Sequence, residues 1–323
     1  MEQQSTILKS VKLASIDLED KTYRITTRSD VDDLINSIKN IGLINPPLLK
    51  MVGSGYTIVC GFRRINACKS LGRLRIEAVI VDFDVSRLEC VKLAITDNAL
   101  QRQLNLVEKS RSINMLSRFY SDYKSLSKAA SVLGLPENPS LIKKIESICK
   151  LPRAIQNRIL SETVSLSVAI ELGMFNSDIG ISFANLFDDL KLSLNKQREI
   201  ITFIKEISIR DDISIMEVLQ GSDLLEILND NNLDRSQKSQ KVRFYLKQRR
   251  YPEITSADKQ FRQNIKELRL GNNIRLIPPN NFEGATYILK LSFNNPGELQ
   301  DSLEVLNSIC QKRSMNKFFF TVQ

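Results

Sequence analysis

The clearest chemistry in this chain lies at Gly61-Phe62-Arg63-Arg64, where two guanidinium groups open a helix. The run before them, Tyr56-Thr-Ile-Val-Cys60, is β-branched and aromatic and predicts a strand. Gly61 breaks that run. Ile65, Cys68 and Leu71 then recur at helical spacing, and Gly72 stands where a terminating glycine would sit. Arg63 and Arg64 thus fall in a first helical turn, where the partial positive charge of the helix disfavours cations. An anion bound there reverses the balance. Free backbone N–H groups plus two guanidinium forks suit a phosphate or a nucleic-acid backbone. Two solvated arginines on a surface helix are the alternative.

A second polar group follows at Asp97-Asn98. Farther on, Asn105-Leu-Val-Glu108 has capping-box spacing, with Asn105 as cap and Glu108 reaching back to its N–H. That assigns Glu108 a structural task and no catalytic one. Other chemistry is excluded by composition. Histidine is absent, which removes His-based triads and His-ligated metals. The cysteines, Cys60, Cys68, Cys90, Cys149 and Cys310, are odd in number and form no C-x-x-C, so they read as small core residues in a reducing compartment.

The elements that must hold these groups come in a definite order. A loose strand over 7–18 leads to a helix from Asp30, with Leu34, Ile35, Ile38 and Ile41 on one face and Gly42 at its end. The Ile44–Lys50 stretch leads into a strand expected to pair with Tyr56–Cys60 across Gly53-Ser-Gly55, and Ile76–Asp82 predicts another. Residues 1–110 therefore read as an α+β domain. From Ser86 the pattern is helical. Ser125–Gly134 is a short helix, Leu135-Pro-Glu-Asn-Pro139 a turn, and Ser140–Leu151 a second helix exposing Lys143 and Lys144, which is the helix-turn-helix plan. Residues 111–221 read as an all-α domain around that pair. Residues 222–323 read as a basic linker with a small α/β (ββα) domain, its final helix presenting Leu299, Leu303, Leu306 and Ile309/Cys310 on one face.

The formal net charge is +9, and it is concentrated. Lys238–Arg275 carries eleven Lys/Arg against three Asp/Glu, whereas Glu206–Asp234 carries eight acidic residues and only Arg210. The basic segment points to a polyanion, with a solvated helix face as the alternative. No apolar run approaches a membrane span, and Met1-Glu-Gln-Gln-Ser-Thr lacks signal-peptide features, so a soluble cytoplasmic protein is expected.

IVCGFRRINACKSLG, then DNALQRQLNLVE over 97–108, then the helix-turn-helix and Lys150-Leu-Pro-Arg-Ala-Ile-Gln156, occur in the order seen in the ParB family of partition proteins, which this chain resembles from about Ile16 to Gly221. Leu166-Ser-Val-Ala169 adds a further match; beyond about residue 222 there is none. The resemblance implies a nucleotide-binding N-terminal domain, with CTP and Mg²⁺ as cofactors of a clamp switch. Gly61, Arg63, Arg64 and Arg102 would contact the nucleotide, Asn98 would also coordinate Mg²⁺, and Asp97 would take the acidic position associated with hydrolysis. Three positions depart from the family pattern: Phe62 and Asp97 each replace a Glu, and the Gln101-Arg102 pair is displaced by one residue. Hydrolysis is the property these departures touch, because it depends on placing a carboxylate closely.

On this reading the chain is a sequence-specific binder of double-stranded DNA, nucleoid- or plasmid-associated, serving plasmid or chromosome partition. Ser140, Lys143, Lys144 and Ser147 would read the site, while Lys247, Arg249 and Arg250 would add phosphate contacts. The ββα unit would make a homodimer, and a ParA-type ATPase would be the further partner. The rivals are a transcription regulator of the same plan without nucleotide switching, and a ParB-domain nuclease.

Overall fold

The computed structural model describes residues 7–310. They divide between Gln197 and Arg198 into two compact units.

The first unit begins with strands β1 (Ile7–Lys12) and β2 (Ile16–Asp17), helix α1 (Asp32–Asn40), strands β3 (Leu48–Val52) and β4 (Gly55–Cys60), helix α2 (Phe62–Ser70) and strand β5 (Arg75–Val81). The strands form one mixed sheet in the order β1-β5-β3-β4-β2. β3 and β4 are the expected antiparallel hairpin, with Met51 opposite Tyr56. Gly53, at φ +59°, makes their turn. β5 runs parallel to β3 and antiparallel to β1. Ile38 of α1, Ile65, Ala67 and Cys68 of α2, and Leu49, Ile58, Ile76 and Ala78 of the sheet share one core. Truncating a fully buried side chain such as Ile65 costs about 2–5 kcal/mol. The sequence places Ile41 on the buried face, yet it is 71% exposed. The helix has already ended at Asn40, so the periodicity no longer aims the side chain.

Helices α3 (Arg87–Gln101), α4 (Leu106–Ser117), α5 (Tyr123–Ser131), α6 (Pro139–Glu146), α7 (Arg153–Leu160), α8 (Leu166–Leu172) and α9 (Ser177–Leu190) complete this unit, and the division between units falls within α10 (Leu194–Asp211). Asn105 and Glu108 form the expected capping box of α4. In the α5–α6 pair, Asn138 caps α6 through a 3.0 Å bond from Leu141 N–H, and Pro139 takes the first helical position. The second helix is shorter than its pattern predicts, since after Glu146 the chain tightens into a 3-10 turn over Ser147–Lys150. Ser110 of α4 explains the change. Its hydroxyl donates to Glu146 O and accepts from Cys149 N–H, binding the chain where the turn begins.

The second unit contains α11 (Ile215–Leu219), α12 (Ser222–Asn229), α13 (Arg235–Arg250), α14 (Pro252–Leu268), an antiparallel pair β6 (Ile274–Ile277) and β7 (Ile288–Leu291), and α15 (Pro296–Cys310). The ββα arrangement is present, and of the expected face of α15 Ile309 is buried and Leu299 and Leu306 are half-buried. Ser302 and Ile309 are buried, with Val305 packed beside Ile309, while Leu303 is 46% exposed and Cys310 is exposed. Ser302 can point inward because its hydroxyl donates to Glu298 O at 2.8 Å, which satisfies its polarity locally. No helix among the described residues is long and apolar enough to cross a membrane.

Candidate nucleotide-phosphate pocket

Gly61 joins β4 to α2 in a left-handed conformation, φ +91°, that glycine adopts without strain. A Cβ there would lie 2.8 Å from Pro47 Cβ, so the turn closes directly onto the chain before β3. Gly61 offers no side-chain cap, and the first N–H groups of α2 open without one. Phe62 points partly into the core, at 9% exposure, which accounts for an aromatic residue in a polar motif.

The two arginines that follow are already held. Arg63 donates from Nε and Nη2 to Asp30 O at 2.9 and 2.6 Å. Arg64 donates from Nη1 to Asn45 O at 2.8 Å and from Nη2 to Asp97 Oδ2 at 3.3 Å. Asp97 Oδ1 accepts from Gln101 Nε2 at 3.1 Å. Asn98 Nδ2 donates to Ala94 O at 2.9 Å, which leaves its amide oxygen as the ligand-type atom. Arg102 is gripped by Glu108 through two bonds of 2.7 and 2.6 Å.

These groups surround a cavity of about 260 Å³, also lined by Ile25, Thr26, Leu34 and Asn45. All six residues expected to act on a nucleotide, Gly61, Arg63, Arg64, Asp97, Asn98 and Arg102, line it together. With Arg102 paired to Glu108, Arg63 and Arg64 face the one lining carboxylate, Asp97, so the pocket favours an anion. A hard cation would find the Asn98 oxygen, with the remaining ligands coming from phosphate and water, a donor set that suits Mg²⁺. Among the described residues no group of three or more His, Cys, Asp or Glu could hold a metal by itself. Behind the pocket, the Cys60 thiol is pushed up to about 12, first by burial and then by the charge of Asp97.

Sequence reasoning missed the reach of Glu108. It is fully buried and accepts from Arg102, from Asn105 N–H, and from both N–H and Oγ1 of Thr27. Burial raises its pKa, but the Arg102 bonds and the Thr27 and Asn105 N–H groups together outweigh this and hold it below the usual range. No local pattern links residue 108 to residue 27. The pairing exists only in the fold.

The expected DNA contacts divide into two settings. On α6, Ser140, Lys143 and Lys144 are exposed, with Lys143 Nζ 6.0 Å from the Tyr123 ring centroid. Ser147 is half-buried, and its hydroxyl donates to Lys144 O at 2.8 Å. On α13, Lys247 is exposed, whereas Arg249 pairs with Asp211 at 3.1 Å and Arg250 with Glu206 at 2.7 Å. Arg243 pairs likewise with Glu199 at 2.6 Å. Two carboxylates of the acidic segment, Glu206 and Asp211, are thus paired with the basic one within the second unit.

Residues 1–99 match the family model of the ParB N-terminal domain. Over these residues the chain is similar to ParB N-terminal domains. Its sheet, Gly61 turn and pocket all lie in or beside that match. The probable chromosome-partitioning protein ParB of Campylobacter jejuni is 34% identical over 90 residues, covering 28% of this chain and 32% of that protein. The corresponding Helicobacter pylori protein is 24% identical over 143 residues, covering 44% of this chain and 47% of that protein. The chain therefore spans about a third to a half of the length of these ParB relatives. The C-terminally truncated ParB of Caulobacter crescentus complexed with CTP-gamma-S aligns at 20% identity and a TM-score of 0.27, over 56% of this chain and 98% of that one.

Proposed function

We propose that this chain is a ParB-like, sequence-specific DNA-binding protein of plasmid or chromosome partition, with CTP and Mg²⁺ in the Gly61 pocket as its switch. One observation carries the reading: residues of two motifs that are 33 positions apart, Arg64 and Asp97, meet across a single anion-favouring cavity at a helix N-terminus. Arg64 and the N–H groups of α2 would take phosphate oxygens, and the Asn98 oxygen would take the metal, which neutralises phosphate charge when bound. The α5–α6 pair would read duplex DNA through Ser140, Lys143 and Lys144. The ββα unit would pair two chains, so that two half-sites are read at once, and a ParA-type ATPase would act on the complex. Turnover of CTP would be slow, because both oxygens of Asp97 are engaged, by Arg64 and Gln101.

A titration of CTP against ATP and GTP, with and without duplex DNA, tests the assignment. Saturable binding of CTP alone, lost in Arg64→Ala, is expected; equal binding of all three nucleotides, or of none, overturns it. The second reading, a DNA-binding regulator without a nucleotide switch, is favoured by the commitment of Arg63 and Arg64 to the chain's own carbonyls. It predicts DNA binding indifferent to CTP.

A further inference from the structure

The wall of the pocket at 25–27 belongs to no strand or helix, and helix α4 carries it. Glu108 accepts from Thr27 N–H at 2.9 Å and from Thr27 Oγ1 at 3.1 Å. Asn105 Nδ2 donates to the same hydroxyl at 2.9 Å. Three positions beyond Glu108, Arg111 Nη1 donates to Ile25 O and Thr26 O at 3.1 and 3.0 Å. Ile25 and Thr26 line the cavity, and so does Arg102, the remaining partner of Glu108. A capping box needs only one carboxylate bond, the one to Asn105 N–H. The other bonds of Glu108 do no capping; they tie Arg102 to Thr27, beside the lining residues Ile25 and Thr26.

We propose that Glu108 is a positioning residue for the pocket: through Arg102 and Thr27 it sets the width and charge of the site for a nucleotide that it does not itself touch. The role rests on the reading of this cavity as a nucleotide-phosphate site. A fully buried carboxylate saturated by five donors has a rigid geometry, since moving any partner leaves a charge unsatisfied away from water. Arg102 is held in turn by both its fork and its charge, so it cannot swing freely across the opening. Glu108 also removes one positive charge from the site, leaving Arg63 and Arg64 as the cations that select an anion at the α2 end.

The experiment uses the full-length protein and CTP with Mg²⁺. Glu108→Gln keeps the shape and one acceptor but loses the charge that holds Arg102. Its dissociation constant for CTP is expected to rise about tenfold or more, the size expected for a lost charge-assisted hydrogen bond. Thr27→Val, which removes only the hydroxyl link, is expected to raise it about threefold. The decisive arm is Arg102→Met with Glu108→Gln, which leaves no unpaired buried charge. That double variant should regain the melting temperature lost by Glu108→Gln and still bind CTP more weakly than Arg102→Met alone, because the carboxylate that fixes Thr27 is gone. Affinity equal to that of Arg102→Met, together with recovered stability, would show that Glu108 only supports the fold, and would overturn the proposal. So would CTP binding by folded Glu108→Gln, or by folded Thr27→Val if the former does not fold, within about twofold of wild type. Wild-type protein that binds no nucleotide overturns instead the reading of the cavity on which this role depends.

Discussion

Arg64 Nη2 donates to Asp97 Oδ2 at 3.3 Å in the lining of the pocket, so the arginine best placed for a phosphate already has an anion beside it. A triphosphate entering the cavity must compete with that carboxylate. The pair is partly exposed, so its strength in water is modest and the competition can be won.

Asp97→Asn should therefore strengthen binding of metal-free CTP by roughly two- to tenfold, because the competing charge and its repulsion are both removed. Calorimetric titration in the presence of EDTA measures this. Unchanged or weaker affinity would mean that Asp97 supports the anion site indirectly. Arg64→Ala should act oppositely and reduce affinity by roughly tenfold or more, since a bidentate charged donor is lost.

Gly61→Ala should destabilise the first unit. The added Cβ would meet Pro47 at 2.8 Å, in a backbone region that L side chains adopt at a cost. A loss of about 1–3 kcal/mol is expected from the conformation alone. Thermal unfolding would detect it, and an unchanged midpoint would show that the β4–α2 turn relaxes freely.

Glu108 makes stability depend on pH in a defined direction. Its pKa is depressed in the folded protein, so its contribution is fully present above the unfolded value, about 4.3, and is lost as pH falls through the lower folded value. Melting curves between neutral pH and about pH 3 should show this loss, with a shallower acid slope in Glu108→Gln. Equal slopes in the two proteins would place the acid sensitivity elsewhere.

The basic helix α13 offers a comparison within one element. Lys247→Ala should lower the slope of log affinity for duplex DNA against log salt by about 0.9, the value for one phosphate contact, with stability unchanged. Arg249→Ala and Arg250→Ala break pairs with Asp211 and Glu206, so they should lower the melting temperature through losses of about 0–1 kcal/mol each. A salt slope that none of these three changes would remove α13 from the DNA interface.

The parts of the fold legible in sequence were those written locally. The β3–β4 hairpin is marked by its Gly53 turn, α2 by the glycine before it and Gly72 after it, and the α4 cap by Asn105 and Glu108. The convergence of Gly61, Arg64, Asp97 and Asn98 was reachable only through motif order, since spacing alone does not bring α2 against α3. Long-range polar contacts were hidden: Glu108 to Thr27, Ser110 to Glu146 and Cys149, and Arg250 to Glu206. Each joins side chains whose partners only the folded chain brings near. In α15 the inward turn of Ser302 was missed for a different reason, because a serine with a local acceptor can take a buried position that hydrophobic periodicity leaves to an apolar residue.

The burial of Cys60, Cys68 and Cys90 has a practical consequence for chemical labelling. A thiol reacts with maleimides as its thiolate, and a Cys60 thiol pushed up to about 12 stays protonated at neutral pH. Cys149 is half-buried and donates to Glu146 O at 3.2 Å, leaving Cys310 at the end of α15 as the exposed sulfur. Brief treatment of the native chain should attach a fluorophore at Cys310 first, a reporter on the second unit.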